Sequence, residues 1–514
     1  MTRNPRAPVA VTEHGAFAGS FEADVAVFRG IPFAAPPVGP LRWAPPQPAG
    51  AWQGTRPATH FGPAPLQPQP PRDSIMFRAN FADRREIVMS EDCLYLNVWT
   101  PEPSATGGLP VLVWVHGGGH RFGAGSADLL NGRNLARHGL VVVTISYRLG
   151  SLGYLAHPAL TAQADSPTSG NYGLLDTAAA LRWVQRNISA FGGDPGRVTA
   201  GGNSAGAVHV CHLMAAPLGR GLFSQAIGQA SAGVYRAEGP MPTLAEAEER
   251  GRRFAGGLGA HDGQALRSLP GVALVASGQF GPIVDGVVLA EDTQAVFEAG
   301  RQAPVPLLLG SNSDEGSVYA RPGDVQGLQQ AAEIAGDHAL HDAFQAAYPT
   351  GGHADLRASA RAYVGDTRFT RPVWRWAATH AATAAAPVWL YLFDRQPPLP
   401  PGPGPAPPPD GSPGFGAYHT AELPYVWDNQ DQRDWPWTPD DRVLARTMSS
   451  AWCRFVGSGD PGGGGLPAWG RCTGSGDSPV MYFGDRVRIG RPYRLAAMQL
   501  LDALAAAQAG TRQP

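Results

Sequence analysis

A serine lies at the centre of a glycine-rich turn near the middle of the chain. The segment Gly202-Asn203-Ser204-Ala205-Gly206 follows a short strand-like run, Val198-Thr199-Ala200, and precedes a helix-like stretch from Ala205 to Met214. Small residues at 202 and 206 let a strand and a helix pack closely, and they hold the serine in a strained turn with its hydroxyl above the sheet edge. The pattern predicts Ser204 as a nucleophile.

A second glycine-rich loop, earlier in the chain, supports this role for the serine. Support is needed because the chain holds 66 glycines in 514 residues, so that a chance G-x-S-x-G is roughly a coin toss. The apolar run Val111–Val115 predicts a buried strand and leads directly into His116-Gly117-Gly118-Gly119-His120. Consecutive glycines let backbone N–H groups converge on one point, as stabilising a tetrahedral oxyanion requires. For the loop alone, the alternative is a plain flexible turn.

A serine hydroxyl is a poor nucleophile unless a base and an orienting acid stand beside it. Two acid candidates, Asp314 and Glu315, follow the strand-like run Val305–Leu309, and spacing alone does not choose between them. The base candidate is His419, in a glycine-flanked loop that follows the run Val388–Phe393. The chain has 14 histidines, so only the position of His419 in such a loop distinguishes it from a structural histidine.

The elements that must position these residues alternate along the chain. Strand-like runs at Leu94–Trp99, Val111–Val115 and Val141–Tyr147 precede a helical segment at Leu174–Ala190. This alternation predicts an α/β fold with a large, mostly parallel central sheet and helices on both faces. Helical segments long enough to form a cap over the sheet edge are Leu244–Phe254, Gln294–Ala299, Leu328–Ala335 and Ala377–Ala386. Helices are also predicted at Asp440–Val456 and Tyr493–Gln508.

One low-complexity segment, rich in proline and glycine, covers residues 397–413 and ends shortly before His419. Its composition predicts an extended, solvated loop rather than a folded module. Two interpretations stay open: an inert surface insertion, or a rim that narrows access to the site.

Composition excludes several classes of function. A net charge of −2 and a pI near 6.7 leave no electrostatic footprint for nucleic acid or an anionic membrane, so we expect a small neutral partner. All 40 basic residues are arginine, which excludes a Schiff-base lysine and a P-loop. We expect no signal peptide and no membrane span. The four cysteines show no zinc-site spacing, and we expect them to be reduced in a cytoplasmic protein.

Many short motifs together resemble the type B carboxylesterases, the family of cholinesterases and bacterial p-nitrobenzyl esterases. The resemblance runs nearly end to end and predicts one elaborated α/β-hydrolase domain over residues 1–514, with helical cap insertions. Besides the glycine loop, the serine turn and Asp314-Glu315-Gly316, the matching motifs are Phe28–Ala34 with Pro36–Gly39, Glu91–Trp99, Asn171–Asp176, Phe191–Pro195, Gly416–His419, Gly459–Pro461 and Leu466–Trp469.

The resemblance implies a role for each candidate residue. Ser204 would be the nucleophile, Glu315 rather than Asp314 the acid, and His419 the general base and acid. The backbone N–H groups of Gly118, Gly119 and Ala205 would form the oxyanion hole. The implied reaction is two-step acyl transfer on an ester, without a metal or an organic cofactor.

Several departures from the family pattern bear on the substrate. Asn203 stands where the family often has glutamate, which removes a negative charge and disfavours a cationic choline ester. His120 replaces an aromatic residue after the glycine loop, and Thr420 replaces a glycine after the histidine. Asn203 and His120 are therefore candidate pocket residues. Cys93 stands at a family disulfide position, but Pro65 occupies the usual place of its partner.

The leading hypothesis is a serine hydrolase for neutral carboxylic esters. One alternative is a hydrolase of carbamates or activated amides that uses the same triad, because the sequence does not separate these substrates. The other alternative is a non-catalytic binding protein that keeps the fold. The oligomeric state is left open.

Overall fold

An eleven-stranded sheet organises this computed structural model, which describes residues 7–80, 87–101, 103, 107–275, 278, 280–337, 340–402 and 404–510. Residues 1–6, which begin the segment in which no signal peptide is expected, and Pro403 of the proline- and glycine-rich segment lie outside the described residues. In chain order, the strands of the large sheet are Ser20–Glu22 (β1), Val25–Pro32 (β2), Tyr95–Thr100 (β3), Leu109–Val115 (β4), Val141–Ile145 (β5), Gly193–Asn203 (β6), Gln225–Gln229 (β7), Leu307–Asn312 (β8), Val388–Phe393 (β9), Val480–Phe483 (β10) and Val487–Gly490 (β11).

The strands lie in the order β11-β10-β9-β8-β7-β6-β4-β5-β3-β2-β1. From β5 to β10 every neighbouring pair is parallel, whereas the pairs at the two margins are antiparallel. The predicted α/β class and parallel central sheet are thus confirmed. Because parallel strands present their carboxyl ends at one edge, the loops after β4, β6, β8 and β9 emerge together.

The central strands are buried on both faces. In β4, Val111, Val113 and Val115 belong to one hydrophobic core, and Leu112 and Trp114 belong to the other. Helices cover both faces, as continuous apolar strands require. The helices are Ile75–Asn80, Arg133–Ala136, Gly150–Tyr154, Pro158–Thr161, Tyr172–Asn187, Ala205–Ala215, Leu244–Gly257, Gly263–Ser268, Gly271–Val275, Thr293–Glu298, Asp324–Asp337, His341–Ala347, His353–Gly365, Arg371–Thr383, Leu423–Val426, Pro439–Ser458 and Leu495–Gly510. There are two small sheets in the described residues. In one, Gly15–Ala18 pairs with Val9–Thr12 on one side and with Thr55–Pro57 on the other, and in the second, Ala64–Pro65 pairs with Met89–Ser90.

The structure adds one central strand that the sequence did not predict. Strand β7 reads Gln225-Ala226-Ile227-Gly228-Gln229, which has too few apolar residues to stand out. Gly228 is required there, because a Cβ atom would lie 2.4 Å from the ring of Trp376. The neighbouring strand β6 is also longer than the predicted run at 198–200.

A long helical segment replaces the short cap helix predicted at 377–386. Helix His353–Gly365 continues through a π-helical turn at Asp366–Thr370 into helix Arg371–Thr383. A π turn inside a helix shifts the side chains that follow it and is frequent at functional sites. This one brings Phe369 into the site described below.

A close approach of helix to strand occurs where β6 enters helix Ala205–Ala215. A Cβ atom on Gly206 would lie 1.9 Å from the carbonyl oxygen of Val115, and one on Gly202 would lie 2.4 Å from Gly206. Only glycine allows this contact. It fixes the height of the turn that carries Ser204 above the sheet.

The proline- and glycine-rich segment at 397–413 packs against an earlier part of the chain. Ala406 N–H donates to the carbonyl of Asp73 (2.8 Å), and the Arg78 guanidinium donates to the carbonyl of Pro401 (3.2 Å). Arg78 belongs to helix Ile75–Asn80, whose Met76 and Asn80 line the cleft described below. This contact fits the rim interpretation of the segment.

Two further features concern the cysteines and the longest helices. All four cysteines are buried free thiols. In the part of the chain that the structure describes, no helix combines the length and apolar character needed to cross a bilayer.

Gly206→Ala is expected to destabilise the protein by about 3 kcal/mol, because the added methyl group overlaps the Val115 carbonyl and must push strand and helix apart. Gly256→Ala is the matched control: Gly256 is exposed in a helix, and nothing lies near its missing Cβ, so this change should stabilise by about 0.5–1 kcal/mol. Urea unfolding followed by tryptophan fluorescence measures both changes. Equal stability of the two variants would contradict the packing argument.

Candidate active site

Ser204 occupies a strained turn between β6 and helix Ala205–Ala215. Its backbone has φ 53° and ψ −124°, a conformation that a non-glycine residue rarely adopts. The Ser204 N–H donates to the carbonyl of Gln229 at 2.7 Å, which ties the turn to the end of β7. The side chain is buried at the floor of a cleft. The predicted strand, tight turn and helix are present around the serine.

The glycine loop after β4 lies against the serine turn. A Cβ atom on Gly117 would lie 3.0 Å from Ser204 Cβ, so loop and turn are in direct contact. The Gly117 N–H donates to Asn203 Oδ1 at 3.2 Å. Gly118 has φ 115°, and a side chain there would meet the carbonyl of Phe122. The glycines are therefore required by both the conformation and the packing of the loop.

Three backbone N–H groups beside the serine make no hydrogen bond to any described residue. They belong to Gly118 and Gly119 in the loop and to Ala205, the first residue of its helix. Unpartnered N–H groups near a nucleophile, one of them at a helix N-terminus, form a site for negative charge. These are the three donors that the family resemblance implies for an oxyanion hole.

His419 is paired with Glu315. Its Nδ1 lies 2.5 Å from Glu315 Oε2, and both side chains are buried. The other carboxylate oxygen of Glu315 accepts from the N–H of Asn312 at 2.7 Å. Because a carboxylate only accepts, Nδ1 carries the proton and Nε2 presents its lone pair. That Nε2 atom is buried without a partner among the described residues, as a general base waiting for a proton would be.

Asp314, the other acid candidate, serves a different purpose. Its carboxylate forms an ion pair with Arg361, through Nε at 2.7 Å and through one terminal NH2 group. Arg361 also donates to the carbonyl of Gly414 at 2.9 Å, and the Asp314 N–H donates to the carbonyl of Ala417 at 3.1 Å. Asp314 thus connects the acid loop to the histidine loop, while Glu315 faces His419.

A second buried carboxylate, Glu422, lies near the pair and was missed in the sequence. It accepts from Gln229 Nε2 (3.0 Å) and from Asn312 Nδ2 (2.6 Å). Burial raises the pKa of Glu422 to about 7, and the negative charge of Glu315 adds to the rise. The charge of Glu422 therefore changes near neutral pH, close to His419.

Gln229 and Asn312 connect the parts of this network. Gln229 binds Glu422 through Nε2, accepts from Trp452 Nε1 at 2.9 Å, and holds Ser204 through its backbone carbonyl. The amide of Asn312 donates to Glu422 and also to the carbonyl of Tyr418 at 2.8 Å, next to His419. Both amides satisfy buried acceptors and fix the loops relative to one another.

Two aromatic residues that the sequence did not indicate flank His419. The ring of Tyr319 meets His419 edge-on at 5.1 Å, and the ring of Phe369, on the π turn, lies 4.5 Å from it. Burial raises the pKa of the Tyr319 phenol to about 12, and the adjacent Ser204 hydroxyl opposes part of this rise. The phenol is protonated at neutral pH. The rings hold the imidazole in place and shield it from water.

The cleft above Ser204 encloses about 500 Å³, part of it open to solvent. No Asp, Glu or Arg is among the described residues that line it. Its walls include Pro70, Met76, Phe122, Leu130 and Leu423, and Asn203 also contributes. An uncharged, largely apolar lining suits a neutral ligand.

His120, the other candidate pocket residue, does not line this cleft. Its ring stacks on His209 at 5.2 Å and packs against Tyr154 at the same distance. Burial lowers the pKa of His120 to about 3, so it stays neutral. It thus packs in an aromatic stack at the end of the glycine loop. Among the described residues, no contact supports a role for His120 in the pocket.

The described residues include no set of side chains suited to bind a metal ion. Within the described ranges, no group of three His, Cys, Asp or Glu side chains is arranged to hold a metal ion. The side chains gathered around Ser204 are instead those of nucleophilic catalysis assisted by an imidazole.

Comparison with known proteins agrees with this geometry. A model of the carboxylesterase family matches residues 6–501. A fumonisin B1 esterase from Sphingopyxis macrogoltabida is 38% identical over 503 residues, covering 93% of this chain and 87% of the relative. A para-nitrobenzyl esterase from Bacillus subtilis strain 168 is 34% identical over 479 residues, covering 88% of this chain and 90% of the relative.

Solved structures show the same similarity. A PNB esterase superimposes with a TM-score of 0.77 at 31% identity, and the match covers 96% of this chain and 99% of that one. The fold is therefore that of the α/β-hydrolases, and the candidate site lies at the carboxyl-terminal edge of the parallel strands.

Glu315→Gln is expected to lower kcat by about 10³–10⁴-fold, because the neutral amide neither fixes the Nδ1–H tautomer nor stabilises the imidazolium. Asp314→Asn is the matched control, since it removes the same charge one residue away and mainly weakens the ion pair with Arg361. It should cost less than about ten-fold in kcat. Steady-state kinetics on one ester measures both losses of kcat. A larger loss in Asp314→Asn than in Glu315→Gln would identify Asp314 as the acid instead.

Glu422→Gln tests the second carboxylate through its pH dependence. Above pH 7 the wild-type Glu422 is charged and stabilises an imidazolium at His419, whereas below pH 7 it is neutral, like glutamine. The ratio of wild-type to variant kcat should therefore rise by about ten-fold as the pH passes from roughly 5.5 to 8.5. Glu333→Gln, on an exposed helix position, is the control. A constant ratio over that range would show that Glu422 does not act on the base.

Proposed function

Because the chain belongs to the carboxylesterase family and is itself a carboxylesterase, we propose that it hydrolyses neutral carboxylic esters through Ser204, His419 and Glu315. One observation carries this proposal. His419 is bound at Nδ1 to a buried carboxylate, and its Nε2, which has no partner among the described residues, lies in the same cleft as the strained Ser204. A base in that state is ready to accept the proton of the serine hydroxyl.

In the acylation step, Ser204 Oγ attacks the ester carbonyl carbon while its proton passes to His419 Nε2. Glu315 keeps the proton on Nδ1 and stabilises the imidazolium that forms. The carbonyl oxygen becomes negatively charged and accepts from the N–H groups of Gly118, Gly119 and Ala205. The tetrahedral intermediate then collapses, and the alcohol leaves with the proton from His419 Nε2.

Deacylation repeats these steps with water as the nucleophile. Water gives a proton to His419 Nε2 and attacks the acyl carbon, and the oxyanion forms in the same position. The bond to Ser204 Oγ breaks, Oγ takes the proton back from Nε2, and the carboxylic acid leaves. No step needs a metal or an organic cofactor.

The absence of charge along the described walls of the cleft supports neutral substrates. Asn203 contributes an amide where a carboxylate would attract a cationic ester, and its Oδ1 is already occupied by the Gly117 N–H. A cation would find no counter-charge in the described lining. Two relatives are named as esterases of fumonisin B1 and of para-nitrobenzyl esters, which supports a small-molecule ester as the substrate here.

The state of the cysteines supports an intracellular site of action within this proposal. All four are buried free thiols, and thiols stay unpaired in reducing compartments. The cytoplasm is the compartment that we propose.

Ser204→Ala tests the proposal directly. The variant should lose turnover of p-nitrophenyl esters by about 10⁴-fold or more, because the nucleophile is gone, and it should keep its thermal unfolding temperature, because the hydroxyl contributes little packing. Ser458→Ala, at an exposed helix end, is the control and should keep wild-type rates. A series of acyl lengths run with the wild type measures the reach of the acyl pocket. A folded Ser204→Ala variant with undiminished turnover would refute the assignment.

A further inference from the structure

Thr420, the residue after His419, has an unfavourable backbone conformation for its type. Its φ is 77°, and it is the only β-branched residue with a positive φ in the described part of the chain. The Ala421 N–H donates to the Tyr418 carbonyl at 2.9 Å, which makes Thr420 the third residue of a turn whose third position favours glycine. A β-branched residue held in this conformation is strained. Glycine would relieve the strain, so the side chain itself calls for an explanation.

The hydroxyl of Thr420 is also unsatisfied. Thr420 is 3% exposed, and its Oγ1 is buried without a hydrogen-bond partner among the described residues. A buried hydroxyl without a partner destabilises the folded protein. Thr420 lines the cleft together with Ser204 and His419. Strain and an unpaired hydroxyl thus coincide at one residue of the substrate cleft.

Three described residues lining the cleft have buried, unpartnered polar atoms: His419 Nε2, Thr420 Oγ1 and His116 Nε2. The proposed acyl transfer uses His419 Nε2. It does not use the other two, because serine, water and the oxyanion donors account for every proton and charge in that reaction. A ligand that fills the cleft must therefore satisfy Thr420 and His116 or leave them unpaired.

His116 specifies what kind of group that ligand carries. Its Nδ1 lies 2.7 Å from the carbonyl of Gly117 and so carries the proton. Burial lowers the pKa of His116 to about 4, so the ring is neutral and Nε2 is an acceptor. Thr420 Oγ1 both donates and accepts. Ligand O–H groups match these two atoms. An O–H group can donate to His116 Nε2, and it can donate to or accept from Thr420 Oγ1.

We propose that Thr420 and His116 form a polar subsite of the ester cleft, which binds hydroxyl groups of the substrate and makes hydroxylated esters the preferred class. The inference rests on the proposed ester hydrolysis. An alkyl ester of the same size reaches the nucleophile but leaves the subsite atoms unpaired, whereas a hydroxylated ester pairs them. For this reason, a site built to bind a substrate hydroxyl discriminates against an analogue that lacks the hydroxyl.

Two pairs of esters probe the two sides of the scissile bond. Ethyl lactate and ethyl propanoate differ by one hydroxyl group on the acyl side, and glyceryl monobutyrate and propyl butyrate differ by two on the alcohol side. Titration of the released acid at constant pH gives kcat/KM for each ester without a chromogenic group. The readout is the ratio of kcat/KM for the hydroxylated ester to that for its alkyl partner. A ratio within each enzyme cancels any general loss of activity.

The wild type should favour the hydroxylated ester in at least one pair by about ten-fold or more. Thr420→Val keeps the shape of the side chain and its β-branch but removes the hydroxyl, so its ratio should fall about ten-fold. Thr420→Ser keeps the hydroxyl with less strain and should restore most of the wild-type ratio. Thermal unfolding of all three proteins verifies that each is folded.

Three results would overturn the inference. A wild type that hydrolyses alkyl and hydroxylated esters equally well removes the preference. If Thr420→Val has the wild-type ratio, the hydroxyl does not take part in the preference. If Thr420→Ser does not restore the ratio that Thr420→Val lost, the preference depends on packing rather than on the hydroxyl. A wild type that hydrolyses none of the four esters would instead refute the proposed function itself, so the two failures are distinguishable.

Discussion

The close contact of Gly206 with the Val115 carbonyl is the constraint on which the site depends. Strands β4 and β6 are parallel neighbours, and Gly202 pairs with Val115 in the ladder. Their following loops therefore begin side by side: the glycine loop after β4 and the serine turn after β6. The missing side chain at Gly206 lets the helix descend onto β4. Ser204 and the unpartnered N–H groups of the glycine loop meet because of this register and this gap.

His419 and Glu315 are positioned by hydrogen bonds between their two loops, which follow the neighbouring parallel strands β8 and β9. The Asn312 amide holds the Tyr418 carbonyl, and the Asp314 backbone holds that of Ala417, so the loop that carries His419 is fastened to the loop that carries Glu315. Two buried carboxylates near one imidazole would repel each other. The raised pKa of Glu422 relieves this repulsion below neutral pH, and the Gln229 and Asn312 amides compensate its charge above it.

Residues whose backbone conformation demands a particular amino acid could be predicted from the sequence. Ser204 lies between small residues that the strand-to-helix turn requires, and Gly118 needs a φ of 115°, so both leave a local pattern. The choice between Asp314 and Glu315 leaves none, because it depends on Arg361, which is 47 positions away in the chain. The resemblance to a known family supplied that choice before the structure showed the contact of Glu315 with His419.

Side chains that act through distant contacts escaped prediction. Tyr319, Phe369 and Glu422 carry no local signature, and only the folded chain brings them to His419. Phe369 depends on a π turn that a helical pattern does not reveal. Strand β7 was missed because its glycine and glutamines serve packing and hydrogen bonding rather than apolar burial. Pattern recognition of apolar runs detects burial, but it does not detect a strand whose buried groups are polar and paired.

Ser204 and Thr420, the two strained residues at the cleft, have the same physical explanation. At Ser204 the turn would be relaxed with glycine, but glycine supplies no nucleophile, so the strain is inseparable from the chemistry. At Thr420 the turn would also be relaxed with glycine, and the side chain makes no hydrogen bond within the described residues that would compensate. Fold stability therefore accounts for neither residue. Both residues line the same cleft. In the proposed reaction and the proposed subsite, the compensating interaction comes from what binds there, a reacting carbonyl at Ser204 and a hydroxyl group at Thr420.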